Sequence, residues 1–348
     1  MNQTLNGIRR ILITILVAMG VGALFIIAIG ENPIDAYAAL FRGAFDGELR
    51  LGTTLAGFTP LLLTSIAFAV AAKAGAFNVG VEGEVFLGGI TAAYIGINWT
   101  FLPKPALYVA CFVGAMVVAA AWAFIPAVLR AYYNVNEVCT TILMNTVALY
   151  ITSYLVSGPM SAGTANAQSL PVTVRLYQFM KPSSVNVGIF IAAITVIVII
   201  FMLQKSSWGY KIRTVGLNPT HADYVGIDSK KVFVGAMMLS GMLGGMAGCI
   251  EVLGVHGYFL NNFATGLGSN GMLAALIVKN NMVSTPFMAF FLAVLKSGAM
   301  GMQQSTGVPK SLVDTITAVF IIIATMETAF QFTKKRKKKT EGKKEDKA

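Results

Sequence analysis

Apolar runs near the length needed to cross a hydrocarbon core, roughly 17 to 25 residues, recur along the chain. They fall at Ile11–Ile29, Gly57–Ala72, Phe77–Ile97, Pro105–Leu129, Val135–Val156, Val185–Leu203, Val232–Leu253, Gly268–Val278, Pro286–Met302 and Leu312–Phe332. The pattern predicts an all-α polytopic membrane protein of about ten transmembrane segments. Gly268–Val278 is too short for a straight crossing, so it is either a half-helix or a reason to count eight or nine.

Polar residues between the runs orient them. Arg9, Arg10, Lys73, Arg130, the loop 205–231, Lys279 and the run Lys334–Lys339 fall on one side, while Glu31, Asp35, Asp46 and Glu48 fall on the other. The positive-inside rule makes the first side cytoplasmic, with both termini there. Arg42, Arg50, Lys104, Arg175 and Lys181 lie outside and weaken the bias without reversing it. The expected organisation is a cytoplasmic N-terminus (1–10), a transmembrane domain (11–332) and a basic cytoplasmic tail (333–348). Arg9-Arg10, an apolar run and Ala28-Ile29-Gly30 resemble a signal peptide, but the run exceeds the usual h-region of about 7–15 residues and reads as a retained helix.

The loop 205–231 is the one sizeable internal polar stretch, with Lys205, Lys211, Arg213, Lys230 and Lys231 against Asp223 and Asp228. It encloses a miniature helix with marked ends. Asn218 suits the N-cap, Pro219 the first helical position, Thr220–Val225 supply about two turns, and Gly226 suits a left-handed C′ residue. Such a helix held outside the bilayer is a surface for a partner; the alternative is a solvated loop whose Asn-Pro is only a turn.

Two places break the helical pattern at membrane depth. The stretch Gly75–Glu84 brings three glycines, Asn78, Glu82 and Glu84, and Gly254–Gly271 brings Asn261, Asn262 and Asn270. Polar groups at such depth must face protein or water. The breaks follow the second and seventh spans, and a shift of five spans reverses orientation. That spacing suits an inverted 5+5 repeat with a pathway between its halves, or glycine-rich membrane segments recurring by coincidence. Gly241, Gly244, Gly245 and Gly248 read as a helix-packing face.

Hydrophobic residues make up 56% of the 348 residues and charged ones 12%, with a mean hydropathy of +0.71, which excludes a water-soluble domain. Of the net charge of +11, the tail supplies +6. The basic balance is therefore topological, and no nucleic-acid partner is expected. Cys111, Cys139 and Cys249 have no metal-like spacing, so no metal site is expected. Gly266–Gly271 matches G-x-G-x-x-G without a preceding strand or a following acid, and no G-x-x-x-x-G-K-[ST] or H-E-x-x-H motif occurs. No catalytic residue or bound cofactor is expected. Among the acids, Glu82 and Glu84 are placed deepest, where hydrogen-bonding the exposed backbone and ion coupling are both open; Glu137, Glu251, Asp314 and Glu327 are the remaining candidates.

Four segments then carry a resemblance: Phe77–Glu84, Val135–Asn145, the loop Gly216–Pro219 with Tyr224–Ile227, and Leu239–Gly241 running on to Glu251–Gly257. In order, over about residues 30–330, they resemble the membrane permeases of bacterial ABC importers in the branched-chain amino acid and monosaccharide group. The nearest likeness is to nucleoside permeases that work with lipoprotein receptors. The resemblance implies a second related permease, a cytoplasmic ATPase that uses ATP, an extracytoplasmic binding lipoprotein, and a place in the bacterial cytoplasmic membrane. It makes Asn218, Pro219, His221, Tyr224 and Gly226 the helix that couples to the ATPase. The chain departs from the usual pattern at His221-Ala222-Asp223 and at Asn261–Asn270. An uncharged substrate needs stacking surfaces and hydrogen-bond partners rather than a counter-charge. Phe77, Asn78, Glu82, Asn145, Asn270 and Gln303 are the expected pathway residues, with Phe263 and Gln304 beside them. A ribose-like sugar would ask for the same set, and an ion-coupled transporter using Glu82 or Glu84 is the rival of another class.

Overall fold

The computed structural model describes residues 19–307, 309, 311–315 and 318. Arg9, Arg10, Glu327, the start of the first apolar run, most of the last one and the basic tail lie outside the described residues.

Among the described residues the regular structure is helical, residues 158–187 form an irregular stretch, and three isolated antiparallel bridges pair Ser161 with Ser169, Gln168 with Leu260 and Gln178 with Asn186. The helices are α1 (Met19–Ile29), α2 (Pro33–Phe45), α3 (Gly47–Lys73), α4 (Val81–Asn98), α5 (Lys104–Tyr133), α6 (Glu137–Ser157), α7 (Gly188–Lys205), α8 (Ser207–Leu217), α9 (Pro219–Tyr224), α10 (Ser229–Ile250), α11 (Leu267–Ile277) and α12 (Thr285–Thr306).

Six of them are long and apolar enough to cross a membrane, or seven if α1 and α2, bent 113° at Gly30, form one span. The expected ten spans are not reached among the described residues. The reason is chemical. The α4 helix is long enough but carries Glu82 and Glu84 in its first turn, and α11 has only 11 residues. Both start at a predicted break.

The chain divides into two compact units. In the first, residues 19–45 pack with the chain from Leu295 onward, where Ala36, Ala39, Leu40, Ala299 and Met302 are buried together. A Cβ on Gly43 would come within 2.8 Å of the Gly298 carbonyl, so α2 and α12 touch through backbone.

The second unit, Asp46–Val294, is organised around α10, which packs on α3, α4 and α5. Lipid provides no hydrophobic drive between helices, so close backbone approach and dispersion must hold them. The glycine stripe of α10 supplies that approach on two faces. Gly241 and Gly245 meet Ala119 and Ala123 of α5; a Cβ on Gly245 would sit 2.6 Å from Ala119 Cβ. Gly244 and Gly248 meet α4; a Cβ on Gly248 would sit 2.7 Å from Gly89 N.

Past Ile250, α10 continues as a π-helical turn, Glu251–His256, closed by Gly257 at φ 77°. A widened turn frees carbonyls, and buried carbonyls need donors. The extended segment 172–178 provides them: Leu176 N donates to Leu253 O at 2.9 Å, Gln178 Nε2 to Gly254 O at 2.9 Å, and Val172 N to Gly257 O at 2.9 Å.

Candidate functional site

The first break begins where α3 ends at Lys73. Gly75 takes φ 81°, residues 76–80 run without helix, and α4 starts at Val81. Asn78 organises this stretch from a buried position. Its Oδ1 accepts the Gly80 N–H at 2.9 Å, and its Nδ2 donates to Glu84 Oε1 at 2.8 Å and to Ser240 Oγ at 2.9 Å. One amide thus folds the loop back on itself, holds the first turn of α4 and ties both to α10. Glu84 Oε2 is buried with no hydrogen-bond partner among the described residues.

Asn145 of α6 grips the same break from another side. Its Nδ2 donates to Val79 O at 2.9 Å and its Oδ1 accepts the Gly83 N–H at 2.8 Å. Glu82, partly buried, reaches the second break: its Oε1 accepts the Gly266 N–H at 3.1 Å. Gly266 is the N-cap of α11 at φ 81°. The carboxylate therefore serves the first turn of α4 and the start of α11 at once, where partial positive charge from both helix ends favours an anion. Backbone follows side chain, since a Cβ on Gly268 would lie 2.5 Å from Glu82 N. The α11 half-helix is in turn held on α3, whose Thr64 Oγ1 donates to Leu267 O at 3.2 Å.

The structure brings Asn78, Glu82 and Asn145 together at the two breaks. Phe77 instead packs edge-on against Phe68, with ring centroids 5.0 Å apart. Phe263 stands edge-on to Phe86, Phe259 and His256. Asn270 is one turn into α11, its backbone N–H bonded to Gly266 O at 3.0 Å. Gln303 and Gln304 are exposed on the part of α12 that belongs to the first unit, and the structure does not join them to this cluster.

The polar loop holds α9 as a helix capped at both ends. Asn218 Oδ1 accepts the His221 N–H at 3.1 Å, and Pro219 occupies the first helical position. At the other end Gly226 takes φ 81°, its N–H donating to Asp223 O at 3.0 Å while Ile227 N donates to Ala222 O at 2.9 Å. That pair of bonds is a Schellman closure, with Ala222 and Ile227 buried behind it. The His221 side chain is exposed, and Leu217, Tyr224 and Val225 project outward at 89%, 85% and 55% exposure. These three side chains give the polar loop an apolar tip.

Three residues that sequence reasoning missed connect this tip to the breaks. The Asp223 carboxylate accepts the Ser229 N–H at 3.0 Å and its hydroxyl at 2.9 Å, fastening α9 to the start of α10. Eleven residues on, Ser240 of the same helix receives Asn78. Neither role can be read from one sequence, because Ser229 looks like any serine of a polar loop and Ser240, in an apolar run, like a tolerated small residue. Asp228 caps α10, and the Lys231 N–H donated to its carboxylate holds it below the usual range.

Residues 50–325 match the family model described as the branched-chain amino acid transport system / permease component. The chain belongs to that permease family. It is 33% identical over 337 residues to the guanosine ABC transporter permease protein NupP of Bacillus subtilis, covering 94% of this chain and 96% of that one. It is 32% identical to the glucose ABC transporter permease protein TsgB13 of Haloferax volcanii over 89% and 85% of the two chains. It is 30% identical to the nucleoside ABC transporter permease protein NupB of Lactococcus lactis over 92% and 91%. As an ABC transporter permease with several apolar helices, the protein is a multi-pass membrane protein.

Proposed function

We propose that this permease moves nucleosides inward across the cytoplasmic membrane, driven by a separate ATPase, paired with a second related permease and fed by an extracytoplasmic lipoprotein receptor. The observation that carries the reading is the likeness to two nucleoside permeases over more than nine-tenths of the chain. The glucose permease relative supports a second reading, a monosaccharide permease.

In this reading α9 docks into the ATPase through Tyr224, Val225 and Leu217, with Asn218, Pro219 and Gly226 fixing its shape and His221 at its rim. A thrust on α9 reaches α10 through Asp223 and Ser229, then the first break through Ser240 and Asn78. The pathway runs where the breaks meet, lined by Glu82, Asn145 and Asn270 in some state of the cycle, and the breaks are corresponding points of an inverted repeat. The basic segments support a cytoplasmic position for α9 and both termini. A Cβ on Gly216 would lie 3.2 Å from the Ala74 carbonyl carbon, and Lys230 lies 5.2 Å from the Tyr132 ring centroid, so Lys73, the end of α5 and the polar loop share one face.

Uptake of labelled guanosine, uridine, ribose and glucose by a deletion strain carrying the gene on a plasmid tests the substrate class. Nucleoside uptake that depends on the gene is expected; gene-dependent uptake of ribose or glucose alone overturns the nucleoside reading. A protonophore added while ATP is maintained should leave uptake standing. Rapid loss under that condition would instead count for ion coupling through Glu82 or Glu84.

A further inference from the structure

Between Gly257, which closes the π-helical turn, and Leu267, where α11 starts, the backbone runs as turns and bends without helix. Its contacts fix its depth. Val172 N donates to Gly257 O while the neighbouring Thr173 N donates to Gly96 O at 3.1 Å, so one end lies by the last turn of α4. At the other end Gly266 N reaches Glu82 in the first turn. Phe263 stands between, since a Cβ on Gly89 would sit 3.0 Å from its ring. The segment therefore accompanies α4 from Gly96 to Glu82, a length of about 21 Å. That length is membrane depth, because Gly244 and Gly248, which α4 meets at Glu84, Val85 and Gly89, lie inside the span Ser229–His256.

Irregular backbone at such depth is tolerated against protein or water, not against lipid. One side of the segment has protein, with Phe259 and Ala264 fully buried. The other side, continued into the first turn of α11, carries Asn262, Thr265 and Ser269, all exposed. The α6 helix stands alongside: its Asn145 holds Gly83, and its Ser153 Oγ accepts from Asn261 Nδ2 at 3.3 Å. Tyr150 lies one turn before Ser153 and Thr146 two turns before it, on the same face, and both are exposed.

The chemistry of this wall is uniform. Residues 138–174 and 257–278 contain neither an acid nor a base. Asn262, at φ 62°, has a side-chain amide with no hydrogen-bond partner among the described residues. Thr265 Oγ1 donates to Asn262 O at 3.0 Å and Ser269 Oγ to Gly266 O at 3.3 Å, so each hydroxyl has its proton engaged and its lone pairs on offer.

We propose that Asn262, Thr265 and Ser269, with Thr146 and Tyr150, form the hydrogen-bonding wall of the path taken by a neutral, polyhydroxylated solute. Hydroxyl groups of the solute donate to Thr265, Ser269 and Asn262 Oδ1, Asn262 Nδ2 donates back, and the Tyr150 ring offers a stacking surface. A zwitterionic amino acid would meet no counter-charge here, and a subunit seated on these residues would have to pair every polar group. The wall rests on the transport reading above but not on the solute being a nucleoside.

The test uses the whole transporter in proteoliposomes with Cys139→Ser, so that Asn262→Cys and Ser269→Cys each add one exposed thiol. A small charged methanethiosulfonate should label both. Guanosine, uridine, ribose and glucose are each supplied with the receptor, and whichever is carried should slow labelling of Asn262→Cys at least fivefold. Asn262→Leu with Thr265→Val, close in shape but apolar, should lower the uptake rate at least fivefold; if that variant does not assemble, the labelling alone decides. Labelling only by a lipid-soluble maleimide would place these residues against lipid, and labelling by neither reagent would make them a subunit contact. Either result overturns the proposal, as does labelling that no carried solute slows, or full uptake by the double variant. Nucleoside uptake with thiols inert to the charged reagent removes the wall and leaves the nucleoside reading standing. Uptake of, and protection by, ribose or glucose alone supports the wall and removes that reading.

Discussion

Glu82 and Gly266 stand 184 residues apart in sequence, yet the carboxylate of one accepts the backbone N–H of the other at 3.1 Å. The contact joins the two places where the helical pattern fails, and it joins them at helix starts. Each start leaves backbone donors unmet, and in an apolar surround an unmet donor costs several kcal/mol. Glu82 meets the donor at the start of α11 while Asn145 accepts the Gly83 N–H at the start of α4, which gives an acid at this depth a structural role without requiring a carried ion.

Replacing Glu82 separates these roles. Glu82→Ala removes a charge-assisted bond and strands the Gly266 N–H, costing about 1.5–3 kcal/mol, and should lower the melting temperature of the purified complex together with uptake. Glu82→Gln keeps a carbonyl acceptor in the same place and should retain most uptake. If Glu82→Gln is as dead as Glu82→Ala while it melts like the wild type, the charge itself is used in transport.

The α4–α10 contact predicts a contrast among glycines. Any side chain on Gly88 meets the Gly245 backbone, and one on Gly248 meets Val85 O and Gly89 N. Overpacking of this kind costs about 1–3 kcal/mol. Gly88→Ala and Gly248→Ala should therefore both melt early. Gly57, in α3 with nothing within 4 Å of a Cβ, should accept alanine within about 0.5 kcal/mol. Equal melting of all three variants would mean that the helices separate readily and the close approach contributes little.

Much of this was legible in the chain. Asn218, Pro219 and Gly226 announce α9 because together, at this spacing, they suit the N-cap, first helical and left-handed C′ positions, and the helix differs from expectation only in ending at Tyr224 rather than Val225. The breaks were legible because lipid does not tolerate Asn, Glu and clustered glycine. Span number was harder, since an apolar run shows that a segment avoids water but not whether it crosses. The roles of Ser229 and Ser240 were not legible, because they depend on which helices become neighbours. Asn78 shows the limit most clearly. Its residue type suits a substrate contact, but its side-chain amide nitrogen and oxygen are both engaged within the protein in this state.

Gly226 offers a test of coupling. A Cβ there meets nothing within 4 Å, so a substitution is penalised only by the left-handed backbone. Gly226→Val should cost about 1–2 kcal/mol locally, loosening the Schellman closure and the aim of Tyr224. ATPase stimulation and uptake should fall while the permease still reaches the membrane. Tyr224→Ala, which removes a side chain 85% exposed, should act the same way with no loss of thermal stability. Normal stimulation in both variants would remove α9 as the docking element.

Val81 gives a view of whether the first break moves. It opens α4, is 1% exposed, and lies between Asn78 and Glu82. Val81→Cys is a small change that leaves the Asn78 and Asn145 bonds in place. The exposed Cys139 must first become serine, whereas buried Cys111 and Cys249 serve as internal standards of protection. In the state described here a small charged thiol reagent should leave the introduced thiol untouched, since no water reaches it. If the breaks part to pass substrate, that thiol should react during turnover with ATP, substrate and receptor present, and Glu82→Ala should raise the rate even without ATP by removing the bond that holds α11 to α4. Reaction at one unvarying rate in every state would mean that water occupies the break permanently. Protection in every state, with uptake intact, would make the break a packing device and move the pathway elsewhere, first to the far side of Asn145 and Asn270.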